Sequence, residues 1–260
     1  MPRKPAAEKP FKTEVELCAA FIKALPPEWV AYNECCGFDI LLLRKLDGFQ
    51  IGIQAKLRFG VDVINQAIED GWAYKAAGPH PDCVAILVPD CEDKRFGRIC
   101  DHIGLTIVRV TDLKARGLNP LYNSVFRPIL PKFGDRYSHE DWHETATVQR
   151  HQLPEYVPDV AAGAPSPLQL TDWKIKAIKL AVTLEMRKHL TRRDFAHHRV
   201  DHRRWVTQGW LKVVDGRFVK DAFPNFKKQH PRVYKQIRKD APKWLPKTLL
   251  EPVAVQSALL

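Results

Sequence analysis

The chain has 260 residues, 45% apolar and 27% charged, a balance that excludes wholesale disorder and a fibrous repeat and allows one large core or two modest ones. No apolar run approaches the ~18 residues that span a bilayer, and Met1 to Pro5 lacks the apolar segment of a signal peptide, so a cytoplasmic protein is expected. The net charge of +11 is unevenly spread: residues 1–120 hold 16 basic and 16 acidic side chains, whereas residues 170–247 hold 21 and 7, which suits a polyanion-binding module joined to a neutral one.

Thr13-Glu14-Val15-Glu16 has the spacing of a helix-capping box and opens an apolar stretch that Pro26-Pro27 ends. Three strand-like runs follow, Trp29 to Cys35, Phe38 to Leu43 and Phe49 to Leu57, the last two joined through a Leu46-Asp47-Gly48 turn. Helical spacing over Val61 to Ala76 (Ile64, Ala67 or Ile68, Trp72) predicts a second helix stopped by Gly78-Pro79. Cys83 to Val88 reads as a buried strand, Lys94 to Ile103 as a third helix and Leu105 to Val110 as a closing strand. The result is an α/β unit with a mixed sheet over residues 1–118.

Residues 119–168 dissolve into prolines, glycines and polar residues, ending in Ala161 to Pro167, and read as a linker or irregular connector. Thr171 to His189 predicts a long helix, with Trp173, Ala177, Leu180, Ala181 and Leu184 available for a buried face and Lys174, Lys176, Lys179, Arg187 and Lys188 for solvent. A short helix capped by Thr191, a third capped by Asp201 and running through Gln208, and a Lys212 to Val219 hairpin with an Asp-Gly turn complete the order of a winged helix over residues 169–250. The apolar tail within residues 251–260 offers a surface for a homodimer or a protein partner, and reads equally as a frayed terminus.

Asp39 near the start of one strand and Gln54-Ala55-Lys56 at the end of its hairpin neighbour bring an acid and an amine together, with Gln54 and Lys56 on one face by strand alternation. Phosphodiester hydrolysis needs charge neutralisation, an oriented water and help for the leaving oxygen, which Mg²⁺ beside a lysine can supply. Asp39 is the best metal ligand; Gln54 offers a neutral oxygen, Ala55 its carbonyl, and Lys56 can steer the water. Glu14 shares a helical stripe with Leu17, Cys18, Phe21 and Leu25 and is drawn toward the sheet, leaving Glu16 for the cap. Gln66 reads as a solvated helix residue, with an approach to the site as the other reading.

Together with the order helix, three strands, helix, strand, these residues resemble the PD-(D/E)xK (restriction-endonuclease-like) nuclease superfamily over roughly residues 10 to 112. The resemblance implies an αβββαβ core, with an acid on the first helix (Glu14), an aspartate on the second strand (Asp39) and an acid-x-lysine on the third. Gln54-Ala55-Lys56 departs from the last, being similar to the Q-x-K variant of Mrr-like restriction enzymes and some transposon-end nucleases. The expected activity is a Mg²⁺-dependent (or Mn²⁺-dependent) DNA endonuclease. A transposon-end cleaving or junction-resolving subunit, or a non-catalytic DNA-binding regulator on a nuclease-like scaffold, are the alternatives.

For duplex DNA, the candidate contacts are His202, Arg203, Arg204, Thr207 and Gln208 on the third basic-domain helix, Arg192 and Arg193 on the second, Arg217 and Lys220 on the wing, and Lys227 and Lys228 beyond it. Beyond the wing, aromatic and basic residues interleave through Tyr234 to Lys239. The literal H-E-x-x-H at His139 to His143 lies in a polar stretch broken by Pro131 and Gly134, and is not read as a zinc site. The six cysteines contain no C-x-x-C; Cys35-Cys36 and His197-His198 are read as packing and surface residues.

Overall fold

A computed structural model describes residues 10–71, 78–90, 96–113, 116–119, 123–145, 147, 149–163 and 169–245. Several expectations lie outside these residues: the second helix beyond Gly71, including Trp72; the start of the third at Lys94; the linker from Ala164 to Pro167; and the C-terminal tail. The chain divides into two compact units, Met1–Leu153 with Val160–Gln169, and Pro154–Asp159 with Leu170–Leu260.

The first unit is α/β. Helix α1 (Glu14–Lys23) precedes strands β1 (Trp29–Cys35), β2 (Phe38–Arg44) and β3 (Gln50–Ala55); then come α2 (Val61–Gly71), β4 (Cys83–Pro89), α3 (Gly97–His102), β5 (Thr106–Val110) and β6 (Phe126–Arg127). The six strands form one mixed sheet in sequence order. β1 to β3 are antiparallel, β3, β4 and β5 run parallel, and β6 returns antiparallel.

Alternation divides the strand residues between two cores. Ile51, Ile53 and Ala55 of β3, with Ala85 and Leu87 of β4, pack beneath Leu17, Cys18 and Phe21 of α1. Val84, Ile86 and Val88 face the other way, with Val63, Ile64 and Ala67 of α2 and Cys100 of α3. Both sides of the central strands are thus covered by helices, which explains their nearly unbroken apolar sequence. The β2–β3 connection is pinned by buried Arg44, whose guanidinium makes two bonds to Asp47, at 2.9 and 2.7 Å, while Gly48 supplies the left-handed turn residue (φ +72°).

The α1 cap differs in detail from the expected box. The Thr13 hydroxyl accepts the Glu16 NH at 3.1 Å, but the Glu16 carboxylate returns to the Lys12 NH, one residue earlier, at 2.7 Å. The described residues between 119 and 153 are largely irregular yet packed. β6 extends the sheet, buried Trp142 donates its indole NH to the Ile129 carbonyl at 2.8 Å, and Arg150 pairs with Asp82 at 2.7 Å.

The second unit contains α4 (Asp172–Arg187), α5 (Arg192–His198), α6 (His202–Thr207), the β7–β8 hairpin (Leu211–Val214, Arg217–Lys220), and α7 (Phe226–Gln229), α8 (Pro231–Lys239) and α9 (Ala241–Trp244). Helix α4 is buried over more than the expected stripe: Ile175, Ile178 and Val182 are interior, whereas Trp173 is 42% exposed, meeting Trp205 edge-on and Trp210 at a tilt. Phe195, Trp205 and Phe218 fill the space beside it, each worth roughly 1.5–3 kcal/mol of apolar burial. Asp194 completes a capping box with Thr191 and pairs with Arg187 at 2.7 Å. Asp215 and Gly216, both at positive φ, make the tight hairpin turn. Asp159, in the short segment preceding Val160, accepts the backbone NH groups of Arg232 and Val233 and bonds to buried His230.

Candidate functional site

The antiparallel β2–β3 pairing carries Asp39 to the end of β3. One position beyond the last registered pair, Ile40 with Ile53, the Asp39 carboxylate accepts the Ala55 NH at 2.8 Å. Lys56 follows immediately, its own NH donating to the Leu87 carbonyl of β4 at 3.0 Å. Its side chain reaches α1, where the amine lies 3.3 Å from the Glu14 carboxylate.

Cys18, one turn along α1 from Glu14, reports the field of this cluster. Its thiol is pushed up to about 12, first by burial and then by the charges of Asp39, Glu14 and Glu34, with Lys56 acting in the opposite sense. Asp39, Glu14, Glu34 and Lys56 thus all lie near enough to Cys18 for their charges to act on its thiol. Glu34 is absent from the residues that sequence reasoning selected. It sits at the end of β1 in a left-handed conformation (φ +51°) and accepts the Gly163 NH at 2.7 Å. Nothing in the strand pattern distinguishes it, because its place depends on that backbone turn.

Gln54 and Lys56 do not share a face as alternation suggests. Gln54 is fully buried on the α2 side, donating to the Gly37 carbonyl at 2.8 Å and accepting from Gln66 at 3.1 Å. Lys56 lies past the last strand residue, so its flexible side chain follows α1 instead. Gln66 is correspondingly a partner of Gln54 rather than a solvated helix residue. The structure thus brings Glu14, Asp39, Ala55 and Lys56 together and ties Gln54 into the framework beneath them.

The donors are oxygen atoms of the hard type that Mg²⁺ accepts. Among the described residues no group of three or more His, Cys, Asp or Glu side chains is arranged to hold a metal ion. Mg²⁺ is commonly held by one or two carboxylates, with waters and substrate phosphates completing its shell. Asp39 and Glu14 fit that limited requirement. The H-E-x-x-H stretch has a different geometry: His139 ends a 3₁₀ turn and bonds to Glu144 and the Lys132 carbonyl, and Trp142 is buried.

In the second unit, α6 is capped by Asp201 and anchored by buried Trp205. Arg203, Arg204, Thr207 and Gln208 are exposed, and their i, i+1, i+4, i+5 spacing sets them on one helix face. Arg192, Arg193, Arg217, Lys220, Lys227 and Lys228 are also exposed. His202 differs from these candidates: its ring packs against Phe195 and Phe218, with centroids at 5.8 and 5.1 Å.

Comparison of the chain with protein-family models, curated proteins and solved structures returns no match.

Proposed function

We propose that the protein is a Mg²⁺-dependent DNA endonuclease whose first unit cuts a phosphodiester and whose basic second unit, read as a winged helix, holds duplex DNA. The observation that carries this reading is the joining of Glu14, Asp39 and Lys56 from three elements around the end of β3. The αβββαβ order, with β4 parallel to β3, supports it, as does the resemblance to PD-(D/E)xK nucleases.

In this reading Asp39 and Glu14 hold the metal, which supplies charge neutralisation at the scissile phosphate and a more acidic water. Lys56 supplies a fixed positive charge beside the phosphate and a donor for the attacking water or the departing oxygen. The Asp39 bond to the Ala55 NH orients the carboxylate before DNA arrives. The exposed arginines and lysines of the second unit neutralise phosphates, and Arg203, Arg204 and Gln208 carry groups that bond base edges.

A second reading, a DNA-binding regulator without catalysis, draws on a specific observation. Gln54 replaces an acid and its amide is engaged by Gly37 and Gln66, so one negative ligand of the family pattern is missing. Purified protein incubated with Mg²⁺ or Mn²⁺ and linear, single-stranded, branched or supercoiled DNA distinguishes the two. The endonuclease reading predicts metal-dependent internal cuts bearing 5′-phosphates; DNA bound but uncut under all conditions would favour the regulator.

A further inference from the structure

The β1–β2 turn holds two adjacent thiols that the nuclease reading does not use. Cys35 is buried and Cys36 is exposed, and their sulfur atoms lie 3.5 Å apart. The turn is tightly bent, with Glu34, Cys36 and Gly37 all at positive φ. Such an arrangement turns two neighbouring side chains toward each other, whereas a regular strand would send them to opposite faces.

We propose that Cys35 and Cys36 form a peroxide-reactive dithiol, in which Cys36 is oxidised first and Cys35 closes a reversible vicinal disulfide. The Cys36 thiolate attacks one oxygen of hydrogen peroxide; the O–O bond breaks, sulfur loses two electrons to become a sulfenic acid, and the departing hydroxide leaves as water after taking a proton. The Cys35 sulfur then attacks the sulfenic sulfur. The S–S bond forms, the S–O bond breaks, and the Cys35 proton leaves with the hydroxyl as a second water. Two thiols and one peroxide thus yield one disulfide and two waters.

Exposure assigns the roles: Cys36 is open to solvent and peroxide whereas Cys35 is buried, and the bond between the two sulfurs, with the neighbouring His151 imidazole, favours the thiolate on Cys36. His151 Nε2 is buried with no hydrogen-bond partner among the described residues. Cys18 and Cys83 are buried with their thiols pushed up by desolvation, so they serve as unreactive internal references.

Reversibility follows from geometry. Adjacent Cα atoms are about 3.8 Å apart, shorter than the about 4.4–6.8 Å that disulfides usually span, so the ring is strained and readily reduced. The chemistry requires no DNA or metal and stands independently of the nuclease reading.

The test treats the full chain with hydrogen peroxide, blocks free thiols with N-ethylmaleimide and maps the tryptic peptide 24–44, which contains both cysteines. The expected peptide is lighter by two hydrogen atoms and unalkylated, and dithiothreitol restores two alkylatable thiols. With Cys35→Ser, dimedone captures a sulfenic acid on Cys36; with Cys36→Ser, Cys35 stays reduced. Two free thiols in the wild-type peptide after peroxide, or a disulfide from Cys36 to any cysteine other than Cys35, would overturn the proposal, and this wild-type measurement does not depend on either variant folding.

Discussion

The Lys56 ammonium lies 3.3 Å from the Glu14 carboxylate, although 42 residues separate them along the chain. The contact forms only when α1 docks on the sheet, so a local sequence pattern becomes a site only through tertiary packing. Both side chains remain about one third exposed, at 34% and 32%, and solvent screens the pair. Glu14→Gln or Lys56→Ala is therefore expected to cost less than about 1 kcal/mol of stability. Urea unfolding checks this, and a much larger loss would make the pair a structural element rather than a functional one.

Gly52 shows how closely β2 and β3 are packed. A methyl group at this position would come within 2.5 Å of the Phe38 ring, which is buried. Gly52→Ala should destabilise the first unit by about 1–3 kcal/mol through overpacking, and Phe38→Leu in the same chain should recover part of it. Urea midpoints of the single and double variants decide the matter; equal stability of Gly52→Ala and wild type would contradict the packing account.

Burial, followed by repulsion from His197 and Lys179, pulls His198 from the ordinary 6.5 down to about 4. The unfolded chain consequently takes up this proton before the folded one does. The stability that the neutral ring contributes is fully present above about pH 6.5 and is lost progressively as pH falls to about 4, an effect of roughly 3 kcal/mol. Buried His230 is lowered as well, chiefly by desolvation, and adds to the same trend. Unfolding of the second unit, followed by tryptophan fluorescence from pH 7 to 4.5, should show this slope, and His198→Gln should flatten it without removing it. An unchanged slope in that variant would assign the effect elsewhere.

Arg203 and Arg204 are exposed on α6. If both neutralise DNA phosphates, replacing them with alanine should reduce the slope of log affinity against log salt by about 2. Fluorescence anisotropy with a labelled duplex over a range of salt measures this, and an undiminished slope would remove α6 from the phosphate interface.

The α/β order of the first unit was legible because its strands and helices carry distinct periods separated by Pro26-Pro27, Gly48 and Gly78-Pro79. Thr191 and Asp201 likewise mark helix starts that the structure contains. Helices α7 to α9 were less apparent, since prolines 224, 231 and 242 interrupt a lysine-rich stretch. Yet Val233, Tyr234, Ile237 and Ala241 form a buried helical stripe, visible in retrospect as i, i+1, i+4, i+8. Glu14 stood out through its stripe with Leu17, Cys18 and Phe21, and Asp39 through its place near a strand start. The divergence of Lys56 from Gln54 did not, because the strand ends at Ala55 and simple alternation cannot anticipate which helix Lys56 will follow.

The most direct test is nicking of supercoiled plasmid in Mg²⁺ by wild type, Asp39→Asn and Lys56→Ala, with equilibrium DNA affinity measured on the same preparations. The endonuclease account predicts metal-dependent nicking by wild type and a loss of activity on the order of 10²-fold or more in each variant, with affinity changed by less than about threefold. Nicking at the wild-type rate in both variants, or intact plasmid with tightly bound wild-type protein, would contradict it.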